Sequence, residues 1–474
     1  MPAQTRPPHA VPYESVLAVI GWTPLIRLNR VVGGSVTPVY GKAEFMNPGG
    51  SVKDRIGIAM IEAAEASGTL KAGGVIVEGT AGNTGVGLAL AACVKGYRCI
   101  FTMPDKFSQE KIRLMRAFGA EVITTPSAVP PDHPDNYLNV ARRVVEETPN
   151  AVMADQFYNP ANPEAHYRTT GPEIWAQSGG RVTHFVGAAG TGGTVTGVAR
   201  YLKEQNPKIK VVTADPQGSI YAHYHRTGDI GPYAPYKVEG AGNDKIPTTL
   251  DFDLVDEFRV VDDRDSYSMA RRLTREEGLF VGSTSGLIVH AAVELAHELD
   301  DPAACIVCLL CDTGERYLSK LYSDEWMREN RMLIERGPSV EALLSAKPAD
   351  FPELIAVHPS AAVRQALELI EANSVTQLPV MDAGECIGSV TESNLLARLV
   401  ERPELIEVPV ASLMELPLPA VDIGADFETV TKELVAGRPA VIIRRGAEPI
   451  GIVTRFDVVH YLTGIGYQEG VAKK

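Results

Sequence analysis

Asn47-Pro-Gly-Gly-Ser-Val-Lys-Asp-Arg55 is the stretch around which the rest of the chain is organised. A strand-like run at 39–45 leads into its Pro-Gly-Gly turn, and apolar residues then recur at helical spacing from Ile56 to Ala64. Ser51 followed three residues later by Asp54 predicts a capping box at the start of that helix. The stretch therefore predicts a strand, a tight turn and a helix in direct succession.

Lys53 falls in the first turn of this predicted helix. The positive helix end and its free N–H groups disfavour an ammonium there. A lysine held at this position is therefore a candidate for a lowered pKa and for Schiff-base chemistry. The stretch is equally compatible with a surface lysine near a helix start, and residues elsewhere in the chain decide between the two interpretations.

Length and composition are those of an ordinary globular protein. The chain has 474 residues, of which 45% are apolar and 22% charged, enough for two or three domains with complete cores. The net charge of −14 argues against nucleic acid or an anionic membrane as a partner. No apolar run reaches membrane-spanning length, and the polar, proline-rich residues 1–12 do not resemble a signal peptide, so we expect a cytoplasmic protein.

The cysteines and histidines predict no metal site. The six cysteines lie in apolar surroundings and do not form a disulfide framework. Cys305-Ile-Val-Cys-Leu-Leu-Cys311 has C-x-x-C spacing, but no histidine or second cysteine pair lies nearby to complete a zinc site. Its apolar, β-branched character predicts a buried strand instead. His223-Tyr-His225 lacks a third ligand in the local pattern.

Short apolar runs alternate with helical patterns from about Gly21 to Leu321. This alternation predicts βαβ units and a mostly parallel sheet covered by helices on both faces. Ligands of such sheets bind beyond the carboxyl ends of the strands, so the informative loops leave a strand and open a helix. The predicted strands are 75–78, 98–103, 121–124, 183–188, 208–215 and 305–310.

The first such loop is Glu78-Gly-Thr-Ala-Gly-Asn-Thr-Gly85. It offers two hydroxyls, an asparagine amide and several backbone N–H groups at a helix N-terminus, a combination that suits a carboxylate. A simple turn and cap would need fewer polar groups than the loop provides.

The second loop is Gly187-Ala-Ala-Gly-Thr-Gly-Gly-Thr-Val-Thr-Gly197. Its glycines let the backbone approach a phosphate, and its threonines add hydroxyl donors. A dinucleotide fingerprint would need glycine where Val195 stands, and no Walker lysine follows. A cup for a single phosphate is therefore the favoured interpretation.

The third loop, Gly282-Ser-Thr-Ser-Gly286, opens another helix with hydroxyls. These hydroxyls are compatible with an N-cap or with the partner of an unprotonated ring nitrogen. A lysine, a carboxylate loop, an asparagine, a phosphate cup and such a hydroxyl together fit pyridoxal phosphate bound through the lysine.

These residues resemble the fold-type II pyridoxal-phosphate β-replacement family, and within it the cystathionine β-synthases. The motifs N-P-G-G-S-V-K-D-R, G-T-A-G-N-T-G, G-T-G-G-T and E-G-L-F-V-G-S-T-S-G match in identity, order and spacing, and the resemblance covers roughly 16–333. It implies that Lys53 is the Schiff-base lysine and the carrier of the Cα proton. It also implies that Asn83 contacts the ring 3′-oxygen and that the Thr284 hydroxyl faces the ring nitrogen, where serine is usual.

The resemblance assigns the remaining site residues to two groups. The implied phosphate contacts are Gly190, Thr191, Gly192, Gly193 and Thr194. The implied contacts to the substrate carboxylate are Thr80, Ala81, Thr84 and Gln156. Ala81 stands where serine is common and so has only its backbone N–H for that contact.

The resemblance implies β-replacement on serine by a thiolate, with two candidate thiols. Gln156-Phe-Tyr-Asn-Pro-Ala-Asn-Pro163 and Thr170-Gly-Pro-Glu-Ile-Trp175 are similar to cysteine synthases, which join O-acetylserine and sulfide. Asp215-Pro-Gln-Gly-Ser-Ile220, the run at 238–247 and Lys320-Leu-Tyr-Ser-Asp-Glu-Trp326 are similar to the synthases that use homocysteine. We favour serine and homocysteine as substrates, and the same chemistry also allows release of hydrogen sulfide from cysteine. Phe157 opposes this choice, because the synthases that use homocysteine usually carry tyrosine at that position.

The chain is expected to lack haem. The first cysteine is Cys93, inside the catalytic region, so no Cys/His haem pair precedes it.

The composition changes after Leu333, where Gly337-Pro338 and Lys347-Pro-Ala-Asp-Phe-Pro352 bring turn residues typical of an interdomain connection. An internal repeat follows. Gly388-Ser-Val-Thr-Glu-Ser-Asn394 recurs as Gly451-Ile-Val-Thr-Arg-Phe-Asp457, each after an apolar strand and before an apolar helix. The repeat predicts two small α/β modules packed as a pair.

These modules resemble tandem CBS domains, which commonly bind adenine nucleotides or S-adenosylmethionine. The resemblance implies that Thr454 and Asp457 hold ribose and phosphate groups, whereas Asn394 replaces the acid in the first repeat. A purely structural, dimerising pair is an equally good interpretation. The predicted domains are 1–335 for catalysis, 336–352 for the linker and the start of the regulatory module, 353–402 for the first CBS domain and 403–474 for the second.

The competing class of function is a nucleotide-sensing protein with a vestigial catalytic half. It would require a damaged cofactor set, yet Lys53, Asn83, the phosphate loop and the ring-nitrogen hydroxyl are all present. We therefore predict a pyridoxal-phosphate-dependent lyase, and both the fold type and the paired tail favour a homodimer or larger homo-oligomer.

Overall fold

The computed structural model describes residues 12–80, 82–105, 109–126, 129–130, 132–333, 339–347, 354–425 and 427–463. The chain divides into two compact units, 1–333 and 334–474. Each unit has its own buried apolar core.

Strands and helices alternate along the first unit, as the pattern of short apolar runs predicts. Its strands are β1 Leu25–Leu28, β2 Val39–Ala43, β3 Val75–Gly79, β4 Arg98–Pro104, β5 Glu121–Thr125, β6 Ala151–Met153, β7 His184–Ala188, β8 Lys210–Pro216, β9 Glu257–Val261 and β10 Ile306–Leu310. Its helices are α1 Lys53–Ala66, α2 Asn83–Lys95, α3 Gln109–Ala117, α4 Tyr137–Glu147, α5 Ala161–Arg168, α6 Thr170–Gln177, α7 Gly193–Gln205, α8 Tyr221–Thr227, α9 Asp263–Glu277, α10 Ser283–Leu299 and α11 Asp324–Glu329.

The strands of the first unit form two sheets. The smaller sheet has the order β5-β4-β3-β6 and is parallel throughout. The larger has the order β1-β2-β10-β7-β8-β9 and is parallel except for the β1–β2 pair. Strands β3 and β10 are buried along their whole length, as expected where both faces are covered. The predicted α/β fold with parallel-rich sheets is confirmed.

The strand order reverses at one place in each of these sheets. In the smaller sheet β4 and β5 lie on one side of β3 and β6 on the other. In the larger sheet β8 and β9 lie on one side of β7 and β10 on the other. Such reversals open crevices at the carboxyl ends of the strands, where ligands of α/β sheets bind. The loops after β3, β6, β7 and β10 are therefore the first place to search for a site.

Helices α1 and α2 pack with their backbones in direct contact. A Cβ added at Gly57 would collide with the Gly87 carbonyl, and one added at Gly87 would collide with the Lys53 carbonyl. Glycine at both positions removes the side chains that normally hold helices 8–10 Å apart. The N-terminus of α1, which carries Lys53, is thereby held beside the N-terminus of α2.

The second unit is built from small sheets and short helices. Its elements are α12 Val340–Ser345, α13 Val363–Ala372, β11 Gln377–Asp382, β12 Glu385–Thr391, α14 Glu392–Glu401, β13 Ala420–Asp422, α15 Phe427–Val435, β14 Ala440–Arg445, β15 Glu448–Thr454 and α16 Arg455–Thr463. The antiparallel hairpins β11–β12 and β14–β15 each lie between two helices, which matches the predicted repeat. Within the described ranges, every helix is too short or too polar to cross a bilayer.

Candidate active site

The turn before α1 places Lys53 at the first position of the helix, where the sequence predicts it. The predicted capping box is wrong in detail. Ser51 Oγ accepts a hydrogen bond from the Lys53 N–H at 3.2 Å, but the Asp54 carboxylate accepts from the Gly49 N–H at 2.5 Å and not from Ser51. The Pro-Gly-Gly turn folds back so that the Gly49 N–H, and not the Ser51 N–H, reaches the Asp54 carboxylate.

The Lys53 side chain is half-buried and has no hydrogen-bond or ion-pair partner among the described residues. Its charge contributes to the lowered pKa of His166 and opposes the raised pKa that burial gives the Cys311 thiol, so both groups lie near the ammonium. An unpaired, partly desolvated amine is the state that nucleophilic lysines require.

A buried group of four charged side chains anchors the helix that carries Lys53. Arg55 pairs with Glu44 and Glu173 at 2.7 Å each, and Lys42 pairs with Glu173 at 2.7 Å. Burial alone would raise the pKa of Glu44, but the Arg55 guanidinium outweighs it and lowers that pKa to about 2. Burial lowers the pKa of Lys42, an effect that Glu173 opposes. The charges are balanced, so all four groups are stable in the interior.

Asn83 opens α2 and joins the loops that follow β3 and β10. Its Nδ2 donates to Asp312 Oδ2 at 2.8 Å, and its Oδ1 accepts from the Arg316 guanidinium. Tyr317 Oη donates to the same Asp312 oxygen at 2.7 Å, whereas Asp312 Oδ1 is buried without a partner among the described residues. The Cys311 carbonyl accepts from the Val52 N–H, so this group lies directly beside the Lys53 turn.

The predicted carboxylate-binding residues come together at the reversal between β3 and β6. Thr84 Oγ1 donates to Gln156 Oε1 at 2.6 Å, and both side chains are buried. Thr80 is also buried, and its Oγ1 accepts from the Gly82 N–H at 3.4 Å. Ala81 lies outside the described residues, so its predicted role stays a prediction.

The predicted phosphate cup lies at the N-terminus of α7, immediately after β7. A Cβ at Gly190 would lie 2.5 Å from the Gly240 carbonyl oxygen, and one at Gly193 would collide with the Asn162 amide. Asn162 Nδ2 donates to Thr191 Oγ1 at 3.0 Å and to the Gln156 carbonyl at 2.8 Å. The cup is therefore lined by backbone and joined through Asn162 to the carboxylate-binding group.

The His166 ring contacts the Thr194 hydroxyl of the cup and the Thr170 hydroxyl of α6. Its Nε2 lies 3.1 Å from Thr194 Oγ1 and its Nδ1 lies 2.9 Å from Thr170 Oγ1. Burial and the positive charges of Arg55 and Lys53 lower the pKa of His166 to about 3, so the ring is neutral at physiological pH.

Thr284 lies in the first turn of α10, and its hydroxyl donates to the Glu239 carbonyl. Gly240 lies between Thr284 and the cup, since a Cβ there would be 3.3 Å from Thr284 Oγ1. The Glu239 carboxylate pairs with Lys111 and, at 2.7 Å, with Lys320. Burial would raise the pKa of Glu239, but these lysines lower it. Thr284 is thus hydrogen-bonded to a loop that is held in place by the ion pairs of Glu239 with Lys111 and Lys320.

The structure brings Lys53, Asn83, the carboxylate loop, the cup and Thr284 into one connected region of the first unit. Sequence reasoning missed the side chains that hold them in place, which are Glu78, Lys111, Asn162, His166, Glu239, Asp312 and Arg316. They share no local sequence signal, because they lie in a strand (Glu78), in helices (Lys111, Asn162, His166) and in the segments between the strands and α-helices (Glu239, Asp312, Arg316). Their common property is that they are polar residues largely shielded from solvent, which the sequence does not show. No group of metal-ligating side chains occurs within the described residues.

Comparison with known families identifies this arrangement. Residues 16–312 match the family model described as pyridoxal-phosphate dependent enzyme, and residues 349–401 match the CBS domain. This chain belongs to the pyridoxal-phosphate-dependent enzymes. The resemblance read from the motifs is confirmed, and so is the prediction of an enzyme.

The relatives of this enzyme carry two kinds of name. Cystathionine β-synthase of Oryctolagus cuniculus is 37% identical and matches 98% of this chain and 88% of its own length. Cysteine synthase 1 of Neurospora crassa is 46% identical but matches 68% of this chain and 86% of its own length.

Two solved structures show the same fold over the first unit. A hydrogen sulfide-producing enzyme from Fusobacterium nucleatum has a TM-score of 0.60 at 37% identity, covering 65% of this chain and 100% of its own. An O-acetylserine dependent cystathionine β-synthase from Helicobacter pylori has a TM-score of 0.59 at 36% identity, covering 65% and 98%.

The residues of the site fit pyridoxal phosphate. The Lys53 amine has no partner in the described part of the chain, and close contacts at Gly190 and Gly193 exclude side chains from the cup, where a phosphate would meet the first N–H groups of α7. Asn83 and Thr284 would contact the cofactor ring.

The remaining predicted residues, Thr454 and Asp457, lie in the second unit and are described within it alone. Asp457 is buried, and its Oδ2 accepts from the Thr454 N–H at 2.7 Å and from the Thr454 hydroxyl at 2.8 Å. Lys347 pairs with the same oxygen at 3.0 Å and donates to the Ile452 carbonyl at 2.7 Å. The acid of the second repeat is therefore neutralised by a lysine from the segment that precedes the first repeat.

Proposed function

We propose that this enzyme joins L-serine to L-homocysteine in a β-replacement that yields cystathionine. The observation that carries the proposal is Lys53, whose amine has no partner in the described part of the chain and whose helix start lies beside α2, in the same region as the phosphate cup and the carboxylate-binding group. The match to a cystathionine β-synthase over both units supports the choice of thiol, since that relative also extends across 98% of this chain. Release of hydrogen sulfide from cysteine uses the same residues.

The proposed roles follow from the positions of the side chains. Pyridoxal phosphate, when bound, supplies an electron sink for the Cα carbon of the amino acid. Lys53 would hold the cofactor through its amine and would carry the Cα proton, since that amine has no hydrogen-bond or ion-pair partner among the described residues. Thr284 offers the ring nitrogen an uncharged partner instead of a carboxylate.

The other residues orient the two ligands. Gly190 and the cup residues that follow bind the phosphate, and His166 holds the Thr194 hydroxyl in place. Gln156, Thr80 and Thr84 bind the serine carboxylate, which fixes the Cα–H bond towards Lys53. Asn83 contacts the ring oxygen while Arg316 and Asp312 hold its amide.

Cysteine synthesis from O-acetylserine and sulfide is the second candidate. It is favoured by Phe157 and by the 46% identity to cysteine synthase 1 of Neurospora crassa. The Helicobacter pylori neighbour is named as an O-acetylserine dependent cystathionine β-synthase, so leaving group and thiol have to be tested separately.

The deciding experiment is a product competition with the purified, cofactor-loaded enzyme. Serine or O-acetylserine is combined with homocysteine or sulfide in all four pairings, and kcat/KM is measured for each by mass spectrometry of the product. We expect the highest value for serine with homocysteine. A higher value for sulfide with either amino acid would replace the proposal by cysteine synthesis.

We propose further that the second unit binds an adenine nucleotide or S-adenosylmethionine through Thr454 and Asp457. The chain is proposed to act in the cytoplasm as a homodimer or larger homo-oligomer, with pyridoxal phosphate and without haem. A purified enzyme with the cofactor's visible absorption and no haem band would agree with this composition.

A further inference from the structure

Glu78 is a buried carboxylate for which the proposed reaction has no use. It is the fourth residue of β3 and lies directly before the loop that contains Thr80. Only 3% of it is exposed, although glutamate is among the residues least often buried without a specific partner. It lies where the strand order of the smaller sheet reverses between β3 and β6, next to the carboxylate-binding residues.

The Glu78 carboxylate connects β3 with the segment that follows β6 through two hydrogen bonds. One oxygen accepts from the Asp155 N–H at 2.7 Å and the other from the Gln156 N–H at 3.3 Å. Asp155 has a φ of +53°, a left-handed conformation that non-glycine residues rarely adopt without a constraint. That conformation turns two successive N–H groups towards a single anion, as in other backbone anion sites.

Gln156 is the residue that this contact fixes. Its main-chain N–H is held by Glu78, its side-chain oxygen by Thr84 and its carbonyl by Asn162. The amide oxygen is taken by Thr84 and the side chain also hydrogen-bonds the Glu78 carboxylate, so the amide nitrogen has one remaining proton to offer to a substrate carboxylate. Loss of any one anchor would allow that nitrogen to move away from the substrate.

We propose that Glu78 is a positioning residue whose ionised carboxylate sets Gln156 for binding the carboxylate of the amino-acid substrate, and whose protonation weakens that binding. A protonated carboxyl loses the negative charge that strengthens both N–H contacts, and its hydroxyl oxygen is a weaker acceptor than a carboxylate oxygen. The inference rests on the proposed role of Gln156 and adds to it a pH dependence of substrate affinity.

Burial is the main influence on the titration of Glu78. Burial raises the pKa of Glu78 to about 7, against the opposing effect of the N–H groups and the side chain of Gln156. The groups that face it are Asp155 from the segment after β6, which raises its pKa further, and Tyr137 from the start of α4. Arg142 of α4 acts on Asp155. Glu78 is therefore ionised above about pH 7 and increasingly neutral below it.

The test compares Glu78→Gln, Gln156→Ala and the double variant in the full-length holoenzyme. A glutamine at position 78 keeps one acceptor oxygen for one backbone N–H. Its NH2 group faces the other N–H and cannot accept a hydrogen bond from it. We expect KM for serine to rise about tenfold in Glu78→Gln, the effect of weakening one charged hydrogen bond, with kcat and the dissociation constant of pyridoxal phosphate unchanged. We expect KM for serine to rise between pH 8 and pH 6 in the wild type, and this rise should be absent from Glu78→Gln.

The double variant tests whether Glu78 acts through Gln156. We expect its KM to equal that of Gln156→Ala, because a residue that only positions Gln156 has no effect once the amide is gone. Additive effects on KM, or an equal fall in cofactor affinity, would overturn the proposal. An unchanged KM in Gln156→Ala would instead overturn the proposed role of Gln156, so the two failures are distinguishable.

Glu277→Gln is the matched control. Glu277 Oε1 also accepts from successive backbone N–H groups, those of Asn29, Arg30 and Val31, but in the loop after β1. We expect its KM and pH profile to match wild type. If Glu78→Gln does not fold, the wild-type enzyme alone decides: a KM for serine that is the same at pH 6 and pH 8 overturns the inference.

Discussion

Lys53 owes its position to the turn before it and not to bonds of its own side chain. The turn is closed by Asp54, whose carboxylate accepts from the Gly49 N–H, and burial raises the pKa of Asp54 to about 7. Arg316 donates to the Gly49 carbonyl and to Asn83, so the turn and the ring-binding asparagine share one guanidinium. The amine itself is left without a partner among the described residues, which keeps it available for covalent chemistry.

Replacing Lys53 by alanine should abolish covalent attachment of the cofactor. We expect the visible absorption of the bound form to disappear, and turnover to fall at least about a thousandfold because the proton carrier is also lost. Lys71→Ala is the control, since Lys71 is an exposed lysine just after α1. Retention of both the absorption and the activity in Lys53→Ala would contradict the assignment, and circular dichroism should show the same folded state for both variants.

At the scale of elements, α1 is fixed from two sides. Its backbone lies against α2 through Gly57 and Gly87, and its charged side chain Arg55 reaches Glu44 beside β2 and Glu173 on α6. The glycine contact positions the helix along one direction and the buried ion pairs along another. Together they prevent Lys53 from moving relative to the cup, whose helix α7 packs beside α6.

Neutralising one member of the buried charge group should cost much more than neutralising a surface ion. We expect Glu173→Gln to lower the free energy of unfolding by about 3–5 kcal/mol, because Lys42 and Arg55 are then left with excess positive charge in the interior. Glu65→Gln, which loses a partly exposed pair with Lys95, should cost less than about 1 kcal/mol. Urea unfolding of both variants measures the difference, and equal losses would show that the buried group contributes no more than a surface pair.

At the scale of the whole molecule, each unit has the core that an independent domain needs. The first unit is centred on its two sheets, and the second on the clusters around Val380 and Val441. The match to the Fusobacterium nucleatum enzyme covers 65% of this chain and the whole of that enzyme's solved chain.

A chain truncated after Leu333 should therefore fold, bind pyridoxal phosphate and retain turnover. Any response of the full-length enzyme to an adenine nucleotide or to S-adenosylmethionine should be lost with the second unit. Steady-state rates of both chains, with and without AMP, ATP and S-adenosylmethionine, measure this. Asp457→Ala in the full-length chain should remove the same response without changing the basal rate. A response that persists in the truncated chain would place the effector site in the first unit.

Local sequence patterns were sufficient to predict most of the elements and the helix starts that carry the candidate cofactor-binding residues. The strands predicted at 98–103 and 121–124 agree with β4 and β5 to within one residue, and Lys53, Asn83 and Thr284 each lie in the first turn of a helix. This is because the spacing of apolar residues and the glycines of each loop act over a few neighbouring positions. The capping box at Ser51 was wrong because a fold-back of the turn, and not the local spacing, decides which N–H reaches Asp54.

The sequence by itself determined the alternation of strands and helices, the repeat in the tail and the family, because these follow from periodicity and from motifs that are contiguous in the chain. Only the tertiary structure decided which distant residues support the site. Glu78 meets Gln156 across two neighbouring strands, and Arg55 meets Glu173 between two helices. Those partners are fixed by strand order and burial, which depend on how the whole chain packs and leave no mark at any one position in the sequence.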